Sequence, residues 1–176
     1  MFYLLCVYDG KLQRQHIGCQ LIMARPYLLY IVNSVMNTDM FVAIADHNLT
    51  VVGWDGSYIK LLEVSYIMIN LGQTMDVLIT ANQSPSHYYM LASPYFDGQA
   101  DDFDKSITSA IFQYNGNYTP PSMPVYPSNI PGFYDVGAAS FYTTKVKEFG
   151  KSTTPCRCLN VTTRMFITVS IGMMRL

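Results

Sequence analysis

Three histidines, four cysteines and a loop of aspartates are the side chains of this sequence best suited to hold a metal or move a proton. His47 sits between Asp46 and Asn48, where a carboxylate could assist the imidazole as a general base, or the ring could ligate a metal. Nothing nearby completes such a site, because the next histidine, His87, is forty residues on and no cysteine is close. The local reading is therefore a turn between two strands, with His47 partly exposed. An exposed turn residue of that kind is replaced by alanine at a cost within about 0.5 kcal/mol. His87 precedes a strand and is expected at its edge. His16 and Cys19 resemble half of a metal pair, but a zinc site takes about four ligands and the other cysteines are distant. Cys156 and Cys158 stand too close for a C-x-x-C pair. Together with Cys6 and Cys19 they could form one or two disulfides in an exported chain, or remain free thiols. The acidic stretch Asp97, Asp101, Asp102 and Asp104 offers oxygen ligands without the spacing of a calcium loop, and reads as solvated. No phosphate loop, nucleophile elbow or metalloprotease helix occurs. No residue is assigned a catalytic or metal-binding role on these grounds.

These side chains must be carried by strands. Short apolar runs ending at turn residues are predicted as strands over Tyr27–Val32, Met40–Ala45, Leu49–Val52, Tyr66–Leu71, Asp76–Thr80, Tyr88–Ala92, Ala110–Tyr114 and Met165–Ile171. Several alternate, which suits a sheet with one buried and one wet face. Asp46-His47-Asn48, Asp55-Gly56-Ser57 and Gly72-Gln73-Thr74 supply the breaks, since Gly, Asn and Asp tolerate turn conformations. Strands at intervals of about 8–12 residues imply an all-β Greek-key β-sandwich. From Tyr118 to Gly132 the chain carries five of its nine prolines, which lack the ladder donor, so this stretch is expected as a surface connector. A short helix is expected around Phe141–Phe149. The organisation read from these features is a segment 1–19, a core 20–117, a proline-rich connector 118–139, and a C-terminal segment 140–176 ending in a strand.

The chain has 176 residues, enough for one domain with a substantial core. Half are apolar and 13% charged, which excludes a charge-driven disordered segment. Fourteen tyrosines and nine phenylalanines beside two glutamates favour pleated surfaces over helices. A net charge of −1 supplies no basic stripe, so nucleic acid is not an expected partner. No apolar run is long enough to cross a bilayer as a helix, so no membrane partner is expected. The opening MFYLLCVYDG lacks a basic leader region, and no signal peptide is read there. Four N-x-S/T sequons, at Asn48, Asn82, Asn117 and Asn160, nevertheless point to a secretory ancestry, although Pro85 follows the Asn82 sequon.

Pro26-Tyr-Leu-Leu-Tyr-Ile-Val-Asn-Ser34, followed by Phe41-Val-Ala-Ile-Ala-Asp-His-Asn-Leu-Thr-Val-Val52, resembles the middle, plastocyanin-like domain of plant laccases, which are multicopper oxidases. The resemblance continues through Tyr58-Ile-Lys60, Gly72-Gln-Thr74, Asp76-Val-Leu-Ile79, the stretch Asn82 to Met90, Phe103-Asp104 and Ala110 to Tyr114. The connector with Asn129 to Asp135 and the closing Phe166 to Gly172 follow in the family's order, so about residues 20–175 are covered. Residues 1–19 depart from the segment that usually precedes this domain. Lys105 replaces a common asparagine, Trp54-Asp55-Gly56 replaces a more acidic turn, and the stretch with Cys156 and Cys158 matches loosely.

The resemblance implies a cupredoxin-like sandwich from a secreted, apoplastic copper enzyme that oxidises phenols and reduces dioxygen to water. It places the copper ligands in a first and a third domain, which would be this chain's partners, with a phenolic substrate for the whole. No cofactor is expected in this chain, and copper belongs to the full-length family. Ligand chemistry agrees: a blue-copper site takes two His and one Cys, usually with a weak axial Met, and three histidines cannot also furnish an oxygen site. Eleven methionines read as core filler. The alternatives are a stand-alone truncated module that exposes apolar faces and self-associates, and a small metal-binding protein using His16, Cys19 and the other cysteines.

Overall fold

A computed structural model describes residues 2–8, 11–13, 18–98 and 104–147. Eleven strands precede one helix: β1 (Phe2–Tyr8), β2 (Lys11–Gln13), β3 (Gly18–Leu21), β4 (Pro26–Asn33), β5 (Asp39–Ile44), β6 (Leu49–Trp54), β7 (Ser57–Val64), β8 (Tyr66–Ile69), β9 (Thr74–Thr80), β10 (His87–Tyr95), β11 (Thr108–Tyr114) and α1 (Val136–Lys145). They form two sheets, ordered β2-β1-β4-β9-β6-β7 and β3-β11-β10-β5-β8. All pairings are antiparallel except β3 with β11. The expected Greek-key sandwich is therefore the observed architecture.

The alternation of β4 buries Tyr27, Leu29, Ile31 and Asn33, while β9 buries Met75, Val77 and Ile79. These side chains face those of β5, β8, β10 and β11 in one continuous core. Strand β5 is buried at Met40 to Ile44 without alternation. Both its faces are covered, as apolar runs in a central strand allow. Phe41 shows the consequence, meeting the ring edges of Tyr66 and Tyr95 at 5.8 and 5.2 Å.

Seven of the eight predicted strands lie in the described residues and appear there with ends shifted by a few positions. The run Met165–Ile171 lies outside them. Strand β7 is not among the expected strands: its exposure, with only Ile59 buried, lacks a period of two. A two-residue turn makes it pair with β6. Asp55 and Gly56 both have positive φ, 46° and 76°, which is the backbone twist that tight hairpins require. A bulge between Val51 and Gly53 then lets β6 follow both neighbours, and a Cβ on Gly53 would stand 2.6 Å from Asp76 Oδ2.

Asn33 fixes one end of the sandwich. Fully buried, it donates from Nδ2 to Thr38 O and Ile69 O at 3.0 and 3.1 Å, and accepts from Val35 N–H at 3.1 Å. One side chain thereby ties β4 to the β4–β5 turn and to β8 in the other sheet.

The proline-rich segment forms no strand. Val125 makes one bridge, accepting from Tyr89 N–H and donating to His87 O, both at 2.8 Å, where β10 extends past its pairing with β5. The helix begins earlier than expected, at Val136, because Asp135 caps it: its Oδ1 accepts from Ala138 N–H at 2.8 Å.

Candidate functional site

Strand β5 ends at Ile44, and the chain turns through Asp46, whose φ is 57°. Asp46 and Asn48 point to solvent on either side of His47, which turns inward and is 3% exposed. The expectation of a partly exposed histidine is thus overturned. The backbone is a turn, but the ring belongs to the core.

The protonation pattern of His47 follows from its partners. Nδ1 lies 2.6 Å from Ala45 O, which can only accept, so Nδ1 carries the proton. In a neutral ring Nε2 then accepts, and the Tyr114 hydroxyl 2.7 Å away donates to it. The same hydroxyl oxygen accepts from Gln83 N–H at 3.1 Å. Tyr88 closes the cage with its ring at 88° to the imidazole, centroids 5.0 Å apart. Every polar atom of this group is satisfied with His47 neutral.

Burial holds the His47 pKa below its ordinary value of 6.5, against the opposing pull of Ala45 O and the Asp46 carboxylate. Burial likewise pushes the Tyr114 phenol upward, so it stays protonated and able to donate. A second proton on His47 would leave two donors, at Nε2 and Oη, facing each other. Unfolded chains take up this proton near pH 6.5, folded ones only at lower pH. The contribution is therefore complete above pH 6.5 and lost as pH falls towards the folded value. Thermal unfolding between pH 7.5 and 5 should show a steeper acid loss in the native sequence than in His47→Gln. Equal slopes would mean that the ring titrates freely.

The other candidates do not converge on His47. His87, half-buried, opens β10 as expected; its Nε2 is enclosed without a hydrogen-bond partner, and Tyr118 meets its ring edge at 5.9 Å. Asp97 and Asp104 are exposed, and two hydrogen bonds from Ser106 hold Asp104 below the usual carboxylate range. Asp101, Asp102, His16, Cys156, Cys158 and Asn160 lie outside the described residues. Cys6 falls in β1 and Cys19 in β3. Asn48, Asn82 and Asn117 are all exposed. Among the described residues, no three of His, Cys, Asp and Glu come together. None of their helices is long and apolar enough to cross a membrane.

The sequence model of the multicopper oxidase family matches residues 14–117. This chain belongs to the multicopper oxidase family. Among curated relatives, Laccase-14 of Arabidopsis thaliana is 38% identical over 150 residues, covering 85% of this chain and 26% of that protein. Laccase-3 of Oryza sativa subsp. japonica is 35% identical over 153 residues, covering 83% and 26%. The chain thus spans about a quarter of the length of these relatives. Two solved structures share the fold. A laccase from Botrytis aclada has a TM-score of 0.51 at 20% identity, covering 68% of this chain and 22% of that one. Fet3p, described as a multicopper oxidase that functions in iron import, has 0.52 at 21%, covering 64% and 22%. The sandwich of this multicopper oxidase chain is accordingly cupredoxin-like.

The family implies copper, and the described side chains do not fit a copper centre. Both nitrogens of His47 are committed inside the protein, to Ala45 O and the Tyr114 hydroxyl. His87 has one enclosed nitrogen, and among the described residues no cluster of other donors stands in support of it. A blue-copper site would need two imidazoles and a thiolate around one point.

Proposed function

We propose that this chain is the middle, non-copper-ligating cupredoxin domain of a laccase-type multicopper oxidase. Its work there is mechanical. It holds apart a first and a third cupredoxin domain that carry the copper, and lends loops to the rim of a phenol pocket. Phenol oxidation and reduction of dioxygen to water belong to the assembled, secreted protein, and the chain alone is inactive. The observation that carries this reading is the internal commitment of His47, in a chain that spans about a quarter of its laccase relatives.

A second reading has its own support. Met36, Tyr58 and Leu61 are 91%, 77% and 72% exposed, as expected where a partner surface is missing. A stand-alone truncated module would carry such residues bare and self-associate. The deciding experiment is the mass of the native, deglycosylated polypeptide in its source tissue, identified by peptides from this sequence. A species several times heavier than 19.9 kDa is expected. A species near 19.9 kDa would overturn the middle-domain reading and leave the stand-alone module.

A further inference from the structure

The face of the six-stranded sheet turned away from the core is apolar where a solvated face would be polar. Strands β4 and β9 bury one side of their alternation, and the other side carries Leu28, Tyr30 and Leu78. Strands β6 and β7 add Val52, Tyr58 and Leu61, of which the last two are strongly exposed. The registers set one row across this face: Tyr30 lies opposite Asp76, Asp76 opposite Gly53, and Gly53 opposite Tyr58. Glycine leaves a gap in the row, and Asp76 fills it, since a Cβ on Gly53 would stand 2.6 Å from Asp76 Oδ2. The carboxylate is thus half-buried among apolar side chains. Burial alone holds its pKa above the ordinary value, with no neighbouring cation to pull it down. The matching charge stands two strands away, where Lys60 is exposed on β7 at the end of the sheet. Its N–H donates to Lys147 O at 2.9 Å, so this edge is not open to a further strand at Lys60. Within one chain β6 separates Lys60 from Asp76 by two strand spacings, about 10 Å.

We propose that this face joins two copies of the chain about a twofold axis, with Lys60 of each copy on Asp76 of the other. A twofold contact uses one patch twice, so a patch carrying both an acid and its cation complements itself. An axis near Gly53 and Tyr58, halfway between Asp76 and Lys60, makes both bridges at once. Tyr58, Leu61 and Val52 then form the apolar centre, which excludes water and strengthens the bridges beside it. Asp76 has already lost part of its hydration in the single chain, so covering it costs less than covering a fully solvated acid. Glu63, the other acid on this face, is exposed, and its Oε1 already accepts from Asn48 Nδ2 at 2.9 Å. The register is selected by charge as well. Sliding the copies until Asp76 meets its own twin would set like charges together.

This inference rests on the stand-alone reading given above and names the partner of its bare surface. The test is sedimentation equilibrium of the 176-residue chain at pH 7.5 over a wide concentration range. A reversible equilibrium between a 19.9 kDa monomer and a dimer of twice that mass is expected. Lys60→Glu and Asp76→Lys each bring like charges together twice per dimer, and each should raise the dimer Kd at least about thirtyfold. The double variant restores opposite charges and should recover most of that loss. Tyr58→Ser, at an exposed position that the fold does not need, should raise Kd at least about tenfold, and it reads the same contact should Asp76→Lys fail to fold. A monomer at every concentration, assembly beyond the dimer, or a folded double variant no tighter than its single parents would overturn the proposal. The polypeptide mass in the source tissue reads the stand-alone reading separately. A much heavier species overturns that reading and the dimer with it, whereas a 19.9 kDa chain that stays monomeric overturns the dimer alone.

Discussion

His47→Ala is expected to lower the unfolding free energy by about 2–4 kcal/mol, although the residue sits in a polar turn. The loss has two sources. Removing the ring empties a volume that Tyr88 and Tyr114 enclose and that the rigid strand ends cannot collapse. It also strands Ala45 O and the Tyr114 hydroxyl, both bonded to His47 inside the protein. Each unsatisfied buried group costs about 1–3 kcal/mol. The measurement is urea unfolding at pH 7.5, read as a shift in midpoint with unchanged slope. Tyr114→Phe removes the other half of the bond, and the double variant should recover about 1–2 kcal/mol of the summed losses, because the two side chains are directly coupled. A single-variant loss within about 0.5 kcal/mol would restore the exposed-turn reading.

That residue also shows where sequence reading stops. A pattern with polar neighbours at Asp46 and Asn48 is indistinguishable from an exposed turn until the long-range partner is known, and Tyr114 lies sixty-seven positions away. Only the register of β5, β10 and β11 brings them together. The strands with period two were legible, since β4, β6 and β9 have one face in the core and one in water. Strand β5 was legible from its apolar density instead. Strand β7 is hidden in the sequence because its burial follows no period of two, with Tyr58 and Leu61 exposed and Ile59 its one buried residue. The helix was displaced by several residues for a different reason. Its cap, Asp135, follows the aromatic pair Phe133-Tyr134, while the apolar signal peaks later, at Phe141 and Tyr142, of which only Tyr142 is buried.

Tyr142→Ala should lower the unfolding free energy by about 3–5 kcal/mol. Tyr142 is fully buried, and it meets side chains of both sheets. Its ring stacks on Trp54 of β6 at 6.3 Å and faces Tyr66 of β8 at 6.5 Å, while its hydroxyl donates to Met75 Sδ of β9 at 3.6 Å. The remaining ties of the helix are weak. Ala139 contributes little area, and Tyr66 Oη to Ala138 O is one partly buried bond at 3.1 Å. Burial pushes the Tyr142 phenol far above its ordinary range, so the hydroxyl is neutral throughout and charge plays no part in the loss. Sulfur is a weak acceptor, which makes Tyr142→Phe the informative companion: it keeps the ring and should cost about 1 kcal/mol or less. Without the ring, helix and connector should loosen together. Hydrogen exchange would then rise at Ala138 and Ala139, and at Phe96, whose N–H reaches Phe133 O, before it rises in the central strands β4 and β9. Uniform acceleration across all strands would show instead that the helix is an integral part of the cooperative core. Its removal would then unfold the whole sandwich at once.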